Sequence, residues 1–201
     1  MKTRVVIVNI GANPEVLKQP ERFCSQTRLA AAAKIRDEAK REQAFAAELA
    51  LSYAISDVAR KVPVYDYLEN GKPVTDGGFI SLSHTEGFAA AVFSPMQCGI
   101  DIEAERPVSP AAASRVLCPA ELSSLEKSGE GYALARFVIK EAFLKMTGDG
   151  VFGGMDRIYE TGGAVFFDGV LRGYCRSFDG PGYFCRLVTR EQPLDIELIL
   201  V

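Results

Sequence analysis

The hydrophobic pattern switches between the period of a strand and the period of a helix, and it does so twice in the same order. After a basic start, "VVIVNI" reads as a first strand and "GANPE" as a turn. From Thr27 to Arg60 the chain is rich in alanine and leucine with no Gly or Pro, which predicts helix, either one long helix or two abutting ones. Its later part, "AFAAELALSYAISDV", is apolar on most sides and should be buried, whereas "KIRDEAKRE" is charged and should face water. Strands follow at "VPVYDYL", "FISLS", "FAAAVFS" and "GIDIE", with Asn70-Gly71 as a hairpin signal. "AERPVSPAA" reads as a linker, and then the order repeats: a short helix at "CPAELSSLEK", a stronger one at "YALARFVIKEAFLKMTG", and strands at "RIYET", "AVFFDGVL", "GYCRSF", "YFCRLVT" and "DIELILV" with "DGPG" as a turn. "GFAAAVF" before "DIE" at Asp101 is echoed by "GYFCRLV" before "DIE" at Asp195, an echo that leaves internal duplication and coincidence both open.

Composition narrows the partners. A chain of 201 residues that is 48% hydrophobic and 24% charged can build one large domain or two small lobes. A net charge of −3 argues against a general nucleic-acid binder, so any polyanion must be held by a local cluster. The five cysteines, Cys24, Cys98, Cys118, Cys175 and Cys185, are scattered and form no C-x-x-C pair, so neither a disulfide framework nor a zinc site is signalled. They are expected to be reduced thiols in a cytoplasmic protein. The first apolar run is too short for a signal peptide, and no apolar segment approaches the roughly 18 residues that span a membrane.

The candidate chemistry lies in two stretches. In "CGIDIE" strand alternation sends Ile100 and Ile102 to one face and Asp101 and Glu103 to the other. Two like charges that close repel unless they are in water, share a proton or hold a cation. In "FVIKEAFLKM" helical spacing puts Ile139, Ala142, Phe143 and Met146 on one apolar face, with Lys140, Glu141 and Lys145 on the opposite side. A Glu141–Lys145 pair on an exposed helix would contribute about 0.2–0.5 kcal/mol. Phe137, Val138 and Leu144 are apolar yet lie on or beside the charged side, so part of that side should be covered.

Together, "GIDIE" and "FVIKEAFLK" resemble the two-part signature of the 4'-phosphopantetheinyl transferase superfamily, and "GKP" at Gly71–Pro73, "SLSHTEGFAAAV" at Ser81–Val92 and "LCPAEL" at Leu117–Leu122 extend the resemblance. These segments are similar to the larger, surfactin-synthetase-activating type rather than the short trimeric holo-acyl-carrier-protein synthases. The likeness covers Gly71 to Val151; the flanks match only in texture. It implies an α+β fold of two lobes related by a pseudo-twofold axis, each a helix packed on a small, mostly antiparallel sheet, with residues 1–105 and 106–201 as the lobes. One chain would then supply what a dimer interface would otherwise provide, which implies a monomer.

The resemblance also implies a reaction: Mg²⁺-dependent transfer of the 4'-phosphopantetheine arm of coenzyme A to a serine of an acyl or peptidyl carrier protein, releasing 3',5'-ADP, a holo-[acyl-carrier-protein] synthase activity. Asp101, Glu103 and Glu141 would ligate Mg²⁺, or Mn²⁺ in its place. Lys145 would neutralise the pyrophosphate and help the leaving group, and Lys140 would contact phosphate beside it. Ser83 and His84 would face the 3'-phosphate, Lys72 and Pro73 would line the adenine and 3'-phosphate pocket, and Asp101 would sit beside the coenzyme as well as the metal. Glu121 matches a family acid that helps deprotonate the serine, and its alternative is a solvated acid in a helix first turn. Two departures stand out: Val138 replaces the usual Ser, Thr or Cys, and the expected N-terminal helix Arg is not cleanly aligned, with Gln43 near its place and Arg41 chosen among Lys34, Arg36, Lys40 and Arg41. The other function classes are a non-catalytic module that binds coenzyme A or a carrier protein, and a Mg²⁺-dependent phosphohydrolase.

Overall fold

The computed structural model describes residues 2–56, 62–68, 72–129, 131–149 and 154–201. The first sheet contains β1 (Thr3–Asn9), β2 (Asp66–Tyr67), β3 (Pro73–Thr75), β4 (Gly78–Thr85), β5 (Phe88–Ser94) and β11 (Ile196–Leu200) in the order β11-β1-β5-β4-β3-β2. The second contains β6 (Cys98–Ala104), β7 (Ile158–Thr161), β8 (Ala164–Phe167), β9 (Val170–Ser177) and β10 (Tyr183–Thr189) in the order β6-β10-β9-β8-β7. Neighbouring strands run antiparallel except β1 and β11, which are parallel. The expected Asn70-Gly71 turn lies outside the described residues.

Strand alternation sets the layers. On β1, Val6 and Val8 join Leu49, Leu51, Ile80 and Ala91 in a core under α3 (Glu38–Ile55). Val5 and Ile7, from the other face of β1, pack with Ala90, Val92, Ile100, Ile102, Cys185 and Leu187 where the two sheets meet. The far side of the second sheet is covered by α6 (Tyr132–Thr147), whose Ile139, Ala142, Phe143 and Met146 pack on Ile158, Val165 and Val188. Helix, sheet, sheet and helix therefore stack in that order, an α+β architecture with mostly antiparallel sheets. At Gly99 a Cβ would stand 2.1 Å from the Ala142 carbonyl oxygen and 2.4 Å from the Met146 nitrogen, so glycine at this point lets α6 lie directly on β6.

Each half of the chain gives one strand to the other half's sheet. After the β4–β5 hairpin, β6 crosses to pair with β10, Asp101 opposite Arg186. After the β9–β10 hairpin, β11 crosses back to pair with β1. The two "DIE" segments of the echo fall at these crossings. Alternation within a strand specifies which side chains are buried and not which sheet buries them.

Of the two readings open for the alanine-rich segment, the structure has two helices, α2 (Gln26–Ala32) and α3, because Ser25 and Asp37 each cap a new start by accepting from the N–H groups of Arg28 and Lys40. Two other local expectations are corrected. The "linker" holds α4 (Pro110–Val116), capped by Ser109 with proline in its first turn, followed by α5 (Pro119–Ser124). "AVFFDGVL" is not one strand: Asp168 and Gly169 both take positive φ and turn β8 into β9, the conformation Asp-Gly favours in a two-residue hairpin.

Candidate functional site

The strand bearing the two acids is the edge of its sheet, and β4 closes that edge with side chains rather than backbone. Ser81 Oγ accepts the Ile100 N–H at 3.1 Å, Thr85 Oγ1 accepts the Ala104 N–H at 3.1 Å, and Ser83 Oγ lies between them, donating to Asp101 Oδ1 at 2.7 Å. The spacing of two puts all three hydroxyls on one face of β4, where Ser81 and Thr85 satisfy edge N–H groups that would otherwise be orphaned. Asp101, 4% exposed, also accepts from Lys145 Nζ at 2.7 Å, so the second half of the signature reaches the first through a charge-assisted hydrogen bond. Its other oxygen, Oδ2, is buried and among the described residues has no hydrogen-bond partner.

Glu103 and Glu141 are half-buried around this carboxylate. Burial, then repulsion from Asp101, raises the pKa of each above its ordinary value; Lys145 works against the shift at both, and Arg106 at Glu103. Glu103 also accepts from Thr85 and from Arg106, at 3.3 and 3.0 Å. Among the described residues no three His, Cys, Asp or Glu side chains converge closely enough to hold a metal ion on their own. The donor set nonetheless fits Mg²⁺, a hard cation that takes one or two carboxylates and completes its shell with water and substrate phosphate. The orphaned Asp101 oxygen is the observation that supports this fit.

Above these acids a cavity of about 420 Å³ opens between the lobes. Ile80, Leu82 and His84 of β4, Lys72 and Pro73 at the start of β3, and Ala47 of α3 form one wall; Glu141, Leu144 and Lys145 of α6 form the other. Glu141 is the one carboxylate among its described lining residues. Lys72 donates to the Met146 carbonyl and Gln97 Nε2 to the same oxygen at 3.0 Å, tying the first lobe to the C-terminal end of α6. Burial, followed by Lys145 and Arg28, lowers the His84 pKa, so the unliganded imidazole is neutral near pH 7.

The expected residues do not all meet here. Lys72, Pro73, His84, Glu141 and Lys145 line the cavity, with Asp101 bonded to Lys145 behind it. Ser83 is spent on Asp101 and does not line the pocket. Lys140 points away: 1% exposed, it donates to Glu121 Oε2 at 2.6 Å, the Val116 carbonyl at 2.9 Å and the Met155 carbonyl at 3.0 Å, which uses all three ammonium protons. Its expected contact with phosphate is corrected to a structural one, because α4, α5 and the segment before β7 cover that side of α6. Glu121, 6% exposed, is neither a solvated acid nor beside the cavity: it accepts from Lys140 and from the Cys118 N–H. Val138 is fully buried, which explains why an apolar residue is accepted where the signature has a hydroxyl or thiol.

Arg41 donates to the Ile35 carbonyl and is not at the pocket; the N-terminal arginine that lines it is Arg28 on α2. The capping Ser25 was the available signal, since a helix starting there carries Arg28 in its first turn.

Residues 97–165 match the family model of the 4'-phosphopantetheinyl transferase superfamily. The chain carries the signature region of this superfamily. It is 31% identical over 113 residues to 4'-phosphopantetheinyl transferase psf-1 of Bacillus pumilus, covering 51% of this chain and 48% of that protein. It is 37% identical over 100 residues to 4'-phosphopantetheinyl transferase HetI of Nostoc sp., covering 43% and 42%. The chain thus matches the curated superfamily relatives over about half their length. Holo-[acyl-carrier-protein] synthase from Thermotoga maritima is a similar solved structure at 23% identity and a TM-score of 0.39, covering 48% of this chain and 64% of that one. No helix among the described residues is long and apolar enough to cross a membrane.

Proposed function

We propose that this protein transfers the 4'-phosphopantetheine arm of coenzyme A to a serine of an acyl or peptidyl carrier protein, releasing 3',5'-ADP. The observation that carries the reading is the interlobe cavity, which gathers Lys72, His84 and Arg28 from one lobe with Glu141 and Lys145 from the other. Phosphoryl-group transfer needs positioning and charge stabilisation more than covalent help from the protein, and this is a cationic cleft with one lining carboxylate, Glu141, on the α6 wall. Arg28, Lys72 and His84 hold the nucleotide phosphates. Lys145, fixed on Asp101, faces the charge that grows on the bridging oxygen as it leaves. Glu141 is the carboxylate placed to take the serine proton or to share a metal with Asp101 and Glu103. Mg²⁺, when bound there, supplies neutralisation of the pyrophosphate. Both walls come from one chain, in keeping with a monomer. Retention of these acids and of Lys145 weighs against a non-catalytic binding module.

His84→Ala should weaken coenzyme A about tenfold or more while leaving 3'-dephospho-coenzyme A nearly unaffected, because a hydrogen bond to a charged group contributes about 1.5–3 kcal/mol. Equal weakening of both ligands in titration calorimetry would assign His84 a structural role and remove the 3'-phosphate from this part of the cavity.

A further inference from the structure

Glu48 is a carboxylate in the wrong place for an ordinary helix. It lies on α3 between Ala47 and Leu49, both buried in the core of the first lobe, and is itself 2% exposed. Burying a carboxylate is unfavourable unless it is paired and hydrogen-bonded. Here Oε1 accepts from Arg28 Nε at 2.7 Å and from the Tyr65 hydroxyl at 2.5 Å, while among the described residues Oε2 has no hydrogen-bond partner. Arg28 therefore spends Nε on Glu48, and among the described residues neither of its Nη groups donates to a protein acceptor. Its guanidinium lies over the Tyr67 ring, 5.9 Å from the centroid, and both side chains line the interlobe cavity. Tyr67 in turn reaches Tyr65 through its hydroxyl at 3.4 Å.

We propose that Glu48 is a positioning residue for anion binding: together with Tyr65 it clamps Arg28 by Nε and presents the two Nη groups to the phosphates of the nucleotide ligand. The inference rests on the reading of the cavity as a coenzyme A site. A guanidinium held at one nitrogen has already lost most of its rotamer freedom, so phosphate binding costs less ordering. The carboxylate is enclosed, so it orients the arginine without meeting the ligand's own negative charge at close range. Tyr65, whose ionisation is pushed well up by burial and by Glu48, stays a hydrogen-bond donor and keeps the carboxylate from turning.

The test is a thermodynamic cycle on the full chain, with coenzyme A as the calorimetric probe and thermal melting in parallel. Glu48→Ala should raise the dissociation constant about tenfold and the near-isosteric Glu48→Gln about threefold, in line with the loss of a charge-assisted hydrogen bond that orients the arginine. In an Arg28→Ala background both changes should move affinity by less than about twofold, because Glu48 acts only through Arg28. A purely structural Glu48 would lower the melting temperature and weaken binding equally in both backgrounds, and that result overturns the proposal. Unchanged affinity in Glu48→Ala and Glu48→Gln, with the wild-type chain binding coenzyme A, also overturns it. If the wild-type chain fails to bind coenzyme A, the reading of the cavity falls and this inference falls with it.

Discussion

Lys140→Met separates structure from catalysis in the signature helix. The ammonium is 1% exposed and its three protons go to Glu121, Val116 and Met155, joining α6 to α4, to α5 and to the segment before β7. Methionine fills a similar volume but donates nothing. Glu121 would keep the Cys118 N–H and Arg136, whose Nε is 4.0 Å from Oε1, as its remaining partners. Removing one member of a buried ion pair costs about 3–5 kcal/mol because the other is left uncompensated. Against a total stability of about 5–15 kcal/mol that is a large fraction, and it should appear in urea titrations as a lower midpoint with an unchanged slope. Glu121→Gln in the same chain should recover a substantial part of the loss, since the buried charge is then gone. Coenzyme A affinity of the folded Lys140→Met protein should stay within about twofold of wild type, because Lys140 does not reach the cavity. The reasoning is refuted if Lys140→Met is as stable as wild type within about 1 kcal/mol and loses phosphate affinity instead.

Two further variants probe the cavity itself. Glu141→Gln should be at least as stable as wild type near pH 7: the folded-state pKa of Glu141 lies above its ordinary value of 4.5, so its ionised form costs stability, and the advantage of glutamine should vanish as pH falls through that raised pKa. Thermal melts across that range would show it, and a destabilised Glu141→Gln at neutral pH would contradict the repulsion described around Asp101. Lys145→Met should lower the transfer rate more than coenzyme A affinity, because ground-state phosphates keep Arg28, Lys72 and His84 whereas the leaving oxygen loses its nearest cation. Restoration of that rate by high Mg²⁺ alone would mean that Lys145 serves to organise the carboxylates.

Much of this arrangement was legible in the chain because it rests on local periods. The alternation of "GIDIE" set Ile100 and Ile102 inward and left Asp101 and Glu103 together, and the structure keeps them so. The apolar Phe137, Val138 and Leu144 beside the charged side of α6 correctly signalled that something covers it. What they could not reveal is which residue is covered: Lys140, Glu141 and Lys145 look alike on a helical wheel, and only the packing of α4 and α5 turns the first into a buried anchor. The exchange of β6 and β11 between sheets was equally hidden, because side-chain alternation carries no record of the partner strand. Arg28 was missed because the alanine-rich run was read by its composition, whereas its two capping residues, Ser25 and Asp37, divide it and set the helix from which Arg28 reaches the pocket.

The central claim is that the interlobe cavity transfers phosphopantetheine to a carrier serine, and intact-protein mass spectrometry tests it most directly. A panel of apo acyl and peptidyl carrier proteins is incubated with the chain, coenzyme A and Mg²⁺. The account predicts a single phosphopantetheine adduct on the carrier serine with wild-type protein, and its loss with Asp101→Ala. Equal adduct formation by Asp101→Ala, or none from wild type on any carrier, would contradict it.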